Sequence, residues 1–294
     1  MSKCAPSEWP NVISLESSIG EVSRRSVAPL SIKCSLKGKE IFEVGGSTKI
    51  VDAHSYLIVN EWQPYTASIL DDQTESLCVF FNNEYSHNVV SALLSSDEKM
   101  LENTPADWRR SFDFFEKLYS HDQCVSPALY KVARAIKDRF HDPNYYDQVF
   151  YLLLEQMVRV KQEIHREMMN MPFTKRSTQL EIMKRVFSAR DFLDSCYQQK
   201  ISLDEAARAA CLSKYYFLRA FKMVYKETPY HYLTRRRLKA ATDLLSSTSM
   251  PVEEVSLQAG FEDHRSFLKL FRKYYLQSPT QFRGVKKPSG VVVA

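Results

Sequence analysis

The chain has 294 residues, 44% of them apolar and 26% charged, so it holds about two domains of ordinary globular composition and is neither a small stapled module nor a disordered or fibrous chain. The longest unbroken apolar run, Val149 to Leu154, is far shorter than a membrane-spanning helix, and Met1-Ser2-Lys3-Cys4 leads into no apolar segment, so neither a membrane partner nor a secretion signal is expected. The net charge of +5 conceals an asymmetry: residues 184–294 carry 20 Lys and Arg against 10 Asp and Glu, whereas residues 1–183 carry 20 against 25, which is the imbalance expected when one domain meets a polyanion.

From Val12 to Ser95, short apolar stretches such as Tyr56–Asn60 and Leu77–Phe81 are separated by turn clusters including Gly45-Gly46 and Asp71-Asp72. This texture predicts several short strands in a sandwich or small barrel. At Thr104-Pro-Ala-Asp107 a threonine cap, a proline in the first turn and an acid three residues after the cap predict a helix start. Trp108, Phe112, Phe115 and Tyr119 follow at three- and four-residue steps, as one helical face. A second helix is predicted near Pro127 to Phe140. A third, Tyr145 to Met169, carries Val149, Leu153, Met157, Val160, Ile164 and Met168 on one stripe. Such a stripe either extends the core of its own chain or buries against a second copy, and it is the expected site of a homodimer contact. Met171 to Thr178 reads as a linker, an all-helical segment runs on to about Arg283, and the tail from Val285 is expected to fray. The division expected is therefore 1–103 strand-rich, 104–170 helical and dimerising, 171–180 linker, 181–284 helical and 285–294 tail.

Little in the first half points to chemistry. None of the six cysteines forms a C-x-x-C pair, so free thiols in a reducing cytosol are expected. A cupin-type metal enzyme needs paired histidines on adjoining strands, yet His54 and His87 stand alone with no H-x-H. No catalytic residue, metal or cofactor is expected.

The last third repeats itself. Leu203, Ala206, Ala207, Ala210 and Cys211 match Val252, Val255, Ser256, Ala259 and Gly260 at an offset of 49; Phe217, Phe221, Tyr225, Thr228, Pro229 and Tyr232 match Phe267, Phe271, Tyr275, Ser278, Pro279 and Phe282 at an offset of 50. Each copy reads helix, tight turn, helix. Ser202-Leu-Asp-Glu205 is a capping box, Ser213 and Asp263 cap the second helix of each unit, and Pro229 to Leu245 forms a connecting helix. The second helix of such a unit fits the major groove. Its outward positions are Lys214, Tyr215, Leu218, Arg219 and Lys222 in the first unit and His264, Arg265, Leu268, Lys269 and Lys273 in the second. These ten are the expected DNA-binding residues. Of the run Arg235-Arg236-Arg237, some are expected at phosphates and at least one within the domain.

With these motifs, Glu181 to Arg283 resembles the AraC-type (AraC/XylS) family of bacterial transcription regulators. The resemblance rests on Leu212-Ser-Lys-Tyr-Tyr-Phe-Leu-Arg-Ala-Phe-Lys222, on Thr228-Pro229, Tyr232 and Arg237-Leu238, and above all on Ala259-Gly-Phe-Glu-Asp263 followed by Phe267, Phe271, Ser278-Pro279, Phe282 and Arg283. Cys211 departs from the pattern where many members have glycine. The resemblance implies an α+β chain: an N-terminal cupin-like β barrel with trailing dimerisation helices and a C-terminal all-α double helix-turn-helix domain. It implies double-stranded DNA, a second copy of the chain and RNA polymerase as partners. A small-molecule effector in the N-terminal half is the companion expectation, with Arg24, Arg25, His54, Tyr56, Trp62, Tyr65 and His87 as the polar and aromatic residues to line its pocket. The alternative is an N-terminal half that only dimerises or meets a protein partner.

Overall fold

The computed structural model describes residues 9–18, 22–69, 73–95, 113–121, 123–169 and 175–285. The expected helix start at Thr104–Asp107 with Trp108 and Phe112, the Asp71-Asp72 turn, the tail beyond Val285 and residues 171–174 of the expected linker lie outside them; the rest of the span expected as linker, 171–180, is already helical from Arg176. The chain divides into two compact units, Met1–Lys184 and Arg185–Ala294.

Within the first unit, the described strands form two antiparallel sheets. One holds β1 (Val12–Ser18), β8 (Thr74–Phe80), β3 (Ser31–Lys37), β6 (Ser55–Val59) and β9 (Leu118–Ser120), in that order; the other holds β2 (Val22–Val27), β7 (Pro64–Ile69), β4 (Glu40–Val44) and β5 (Ser47–Val51). Gly45 and Gly46 close the β4–β5 hairpin with φ of 57° and 75°, the left-handed pair that a tight two-residue turn requires. Phe42, Val44, Val51 and Tyr65 from one sheet and Leu57, Val59 and Leu118 from the other share a single buried core. The arrangement is cupin-like, but the two sheets are not joined by hydrogen bonds into a closed barrel.

Residues 31–35 of β3 are all buried, because the strand is covered on both faces. Lys33 points between the sheets, its ammonium 3.8 Å from the Phe80 ring centroid and 5.0 Å from that of Tyr65. Lys49 and Glu40 are buried in this unit as well.

Two further segments differ from the sequence reading. Asn83–Ser95 is a helix, α1, where strand texture was expected: the Asn82 side chain accepts from Tyr85 N at 2.9 Å, and Ser86, Val90 and Leu94 are buried at helical spacing. Phe115 and Tyr119 lie on no helix. Leu118 enters the inter-sheet core, while Tyr119, paired opposite Tyr56, stacks on it at 5.4 Å; the period there is two.

Helices α2 (Val125–Lys137) and α3 (Pro143–Met169) follow. The α3 stripe is core. Val149, Leu153, Met157, Ile164 and Met168 are all buried within the single chain, and α1 packs on α3 through Val90, Leu94 and Val158. The expectation that this stripe forms the dimer contact is therefore corrected, since its side chains are already covered. Carboxylates at Met157 and Ile164 would have to enter that core. The double substitution Met157→Glu, Ile164→Glu should abolish cooperative melting of this unit by circular dichroism rather than release a folded monomer in sedimentation, at a cost of several kcal/mol.

The second unit is helical throughout its described residues. It takes the end of α4 (Arg176–Ser195), then α5 (Leu203–Ala209), α6 (Lys214–Tyr225), α7 (Pro229–Ser247), α8 (Val252–Gln258), α9 (His264–Tyr275) and α10 (Pro279–Val285). The caps read from sequence are made: Ser202 and Glu205 bond reciprocally at the head of α5, Thr228 caps α7 with Pro229 in its first turn, and Asp263 accepts from Arg265 N and Ser266 N at 3.2 and 2.8 Å.

Candidate nucleic-acid interface

Two helix pairs, α5–α6 and α8–α9, flank the connecting helix α7, and each is built around the same four rings. In the first, Phe217–Phe221, Phe221–Tyr225, Phe221–Tyr232 and Tyr225–Tyr232 lie at centroid separations of 5.5, 4.8, 5.7 and 5.6 Å. The matching pairs of the second, Phe267–Phe271, Phe271–Tyr275, Phe271–Phe282 and Tyr275–Phe282, lie at 5.5, 4.7, 5.6 and 5.7 Å. Rings at these distances attract beyond their buried area. Because Phe217, Phe221, Phe267 and Phe271 are wholly buried, the rotation of α6 and α9 about their axes is fixed.

That rotation turns one face of each helix outward. On α6, Lys214, Tyr215, Arg219 and Lys222 are exposed and Leu218 is half-buried; on α9, Arg265, Leu268, Lys269 and Lys273 are exposed and His264 is half-buried. The ten residues singled out from sequence thus fall on two outward faces. Arg272, which the sequence reading passed over, completes the second: it lines a shallow open depression with Leu268, Lys269 and Lys273. The offset of 50 that pairs Phe221 with Phe271 pairs Lys222 with Arg272, so the signal was present.

Charge separates into two groups. Arg219, Lys222, Lys269, Arg272 and Lys273 make no ion pair among the described residues, and Arg219 lies 5.8 Å from the exposed Tyr215 ring. By contrast Arg235-Arg236-Arg237 is engaged inside the domain. Arg235 pairs with Glu227 at 2.6 Å, Arg236 lies 3.8 Å from Asp194 and over the Tyr197 ring, and Arg237 donates to Tyr197 O and Gln199 O, each at 2.7 Å. Lys214 reaches Asp204 on α5 at 2.8 Å, and His264 Nδ1 lies 3.1 Å from Ser256 Oγ on α8.

Behind α6 sits a buried polar network. Arg190 Nε donates to Tyr232 Oη at 2.8 Å and pairs with Asp194 at 2.8 Å, and the Tyr232 hydroxyl donates to Asp194. Burial pushes the Tyr232 hydroxyl well up, so it stays a donor. The turns differ as well. Gly260 has φ of 88°, and a β-carbon there would collide with the Tyr197 carbonyl oxygen and Gln198 Cα; Cys211 holds φ of 50° despite its side chain.

The residues expected to hold an effector do not converge. Arg24, Arg25 and Trp62 are exposed, His54 lies in the turn before β6, and His87 on α1 pairs with Glu61 at 2.7 Å. Tyr56 faces Tyr119 and His121, and Tyr65 alone enters the inter-sheet core. Among the described residues no group of three His, Cys, Asp or Glu could hold a metal, and no helix is long and apolar enough to cross a membrane.

A chain with two such units on one connecting helix is of the double helix-turn-helix class. Residues 206–284 match the family described as a helix-turn-helix domain. The chain is 32% identical over 93 residues to the probable transcriptional regulator LumQ of Photobacterium leiognathi, covering 32% of this chain and 38% of LumQ. It is 27% identical over 93 residues to the regulatory protein SoxS of Salmonella typhimurium, covering 32% of this chain and 87% of SoxS. Among solved structures, the C-terminal domain of the response regulator AraT from Geobacillus stearothermophilus is 27% identical and covers 37% of this chain and 91% of that one, with a TM-score of 0.35. Its C-terminal unit thus carries a helix-turn-helix domain similar to those of AraC-type transcriptional regulators. The chain spans well under half the length of LumQ.

Two outcomes test the geometry by thermal or urea unfolding. Gly260→Ala should destabilise the second unit by at least about 2 kcal/mol through strain and collision, whereas Cys211→Gly should stay within about 1 kcal/mol of the parent, on the stabilising side. Asp194→Ala should cost about 3 to 5 kcal/mol, because it strips the buried Arg190 of its closest carboxylate.

Proposed function

We propose that this protein is a sequence-specific DNA-binding transcriptional regulator in which α6 and α9 enter adjacent major-groove segments. The observation that carries the reading is the repeated outward face: Arg219 and Lys269, matched at offset 50, make no ion pair among the described residues and stand at the same position of two helices whose rotation is set by the same rings. Arginine grips guanine O6 and N7 in two bonds, and lysine reaches the same acceptors less directionally. Lys222 and Arg272, one turn or less beyond, are assigned to the phosphate backbone.

Control by a small-molecule effector in the N-terminal unit is the finer part of the proposal. It is supported by Lys33, a buried cation between the sheets that has rings as neighbours and no ion pair among the described residues. A second reading, in which this unit serves only assembly or a protein partner, is favoured by the apolar filling of the same space by Phe42, Val44, Val51, Leu57 and Val59. Homodimerisation is retained in both readings, with the exposed Tyr151 and Leu152 of α3 as the apolar surface available to it.

The test is selection from a random duplex library with the full chain, followed by titration of the selected site across salt. A preferred sequence should emerge, and affinity should fall steeply with salt as phosphate contacts release counterions. Arg219→Ala and Lys269→Ala should each relax preference in a different part of the site, by about 1 to 3 kcal/mol, while Lys222→Ala weakens all sequences alike. Binding no tighter to the selected site than to random duplex refutes the reading. For effector control, titration of a metabolite panel with and without the selected duplex should give unequal affinities for the effector; equal affinities throughout assign the second reading.

A further inference from the structure

The first residue of each outward helix is held from behind, but by opposite chemistry. In the first unit Lys214 is drawn to Asp204 at 2.8 Å. In the second, His264 meets Ser256, a residue with no exposed surface. The serine settles the imidazole's tautomer. Its Oγ lies 2.6 Å from the Glu253 carbonyl oxygen, a separation two oxygens reach only with a proton between them, so the single hydroxyl proton is committed to Glu253. Ser256 Oγ can then only accept from the ring. The proton of a neutral His264 therefore sits on Nδ1, and Nε2 carries the lone pair. A contact with the Phe267 ring at 6.1 Å holds the imidazole plane, and Nε2 has no partner among the described residues.

We infer that His264 is a specificity-determining residue of the second unit, a locked hydrogen-bond acceptor that reads an exocyclic amino group in the major groove. It stands at the N-terminus of α9, where such helices meet base edges, and the only base-edge donors there are adenine N6 and cytosine N4. Guanine and thymine present acceptors at the corresponding edge, which the Nε2 lone pair repels. The second unit thus selects adenine or cytosine at one position through an acceptor, beside cations that select guanine. The first unit has no counterpart, because Ala207 stands where Ser256 does and Lys214 where His264 does.

This inference rests on the DNA-binding reading above, and its test separates the two. The full chain and His264→Ala are each put through duplex selection at pH 8. One position that the parent fills with A or C should lose its preference in the variant, while the others keep theirs. At that position, purine in place of adenine, or 2-pyrimidinone in place of cytosine, removes the amino group. The analogue should weaken the parent about fivefold and His264→Ala not at all, as for one neutral hydrogen bond. Ser256→Ala, which frees the tautomer while keeping the histidine, should bring discrimination at the same position toward parity; it carries the test alone if His264→Ala does not fold. A histidine that merely braces α9 would lower affinity for every sequence equally. Unchanged preference in the variants, or a lost preference for G or T, overturns the inference and leaves the DNA-binding reading standing. Failure of the parent to select any sequence ends both.

Discussion

Everything on the outward surface of the C-terminal unit depends on a constraint beneath it: a set of four aromatic rings, made twice, whose corresponding separations agree to about 0.1 Å. A helix packed by two phenylalanines one turn apart cannot rotate without breaking both contacts. The outer residues are then placed by the helical period alone. This is why two stretches that share few outward identities nevertheless present a cation at the same angle. The rings do the positioning, and the exposed side chains are left to vary with what they contact.

The basic character of this unit is more selective than its charge count suggests. Three consecutive arginines on α7 are absorbed by Glu227 in the α6–α7 turn, by Asp194 on α4 and by the carbonyls of Tyr197 and Gln199 just after it, so they are spent inside the domain. Apart from Lys214, which Asp204 holds, the cations Arg219 and Lys222 of α6 and Lys269, Arg272 and Lys273 of α9 make no ion pair among the described residues. A domain with an excess of positive charge can use its carboxylates to remove cations from the wrong places, and what is left unpaired is then concentrated on one kind of surface.

How much could be read from the sequence follows from the range of the interactions involved. Helix starts were legible because caps are local: Ser202 and Glu205 are three residues apart, and Asp263 bonds amides two and three residues on. The outward residues were legible because one offset relates two copies. Local patterns misled where distant partners decide. Tyr119 follows Phe115 at helical spacing, yet its pairing opposite Tyr56, 63 residues earlier, makes it part of a strand. The α3 stripe announced burial correctly, since Val149, Leu153, Met157, Ile164 and Met168 are covered within the single chain, but an apolar period carries no label for what covers it. The roles of Arg235, Arg236, Arg237 and His264 were hidden for the same reason, since each depends on a partner in another element.

Tyr232 and Phe282 stand at the same place in the two ring sets, yet only the first has a hydroxyl, and only behind it do Arg190 and Asp194 form their bonds. The first ring set is therefore backed by directional bonds that tie α7 to α4, whereas no hydroxyl stands at that point of the second. Apolar attraction weakens on cooling. The two ring sets thus have different temperature responses written into one phenolic oxygen: in the cold the first keeps the bonds that join α4 to α7 behind it, and the two copies cease to be equal.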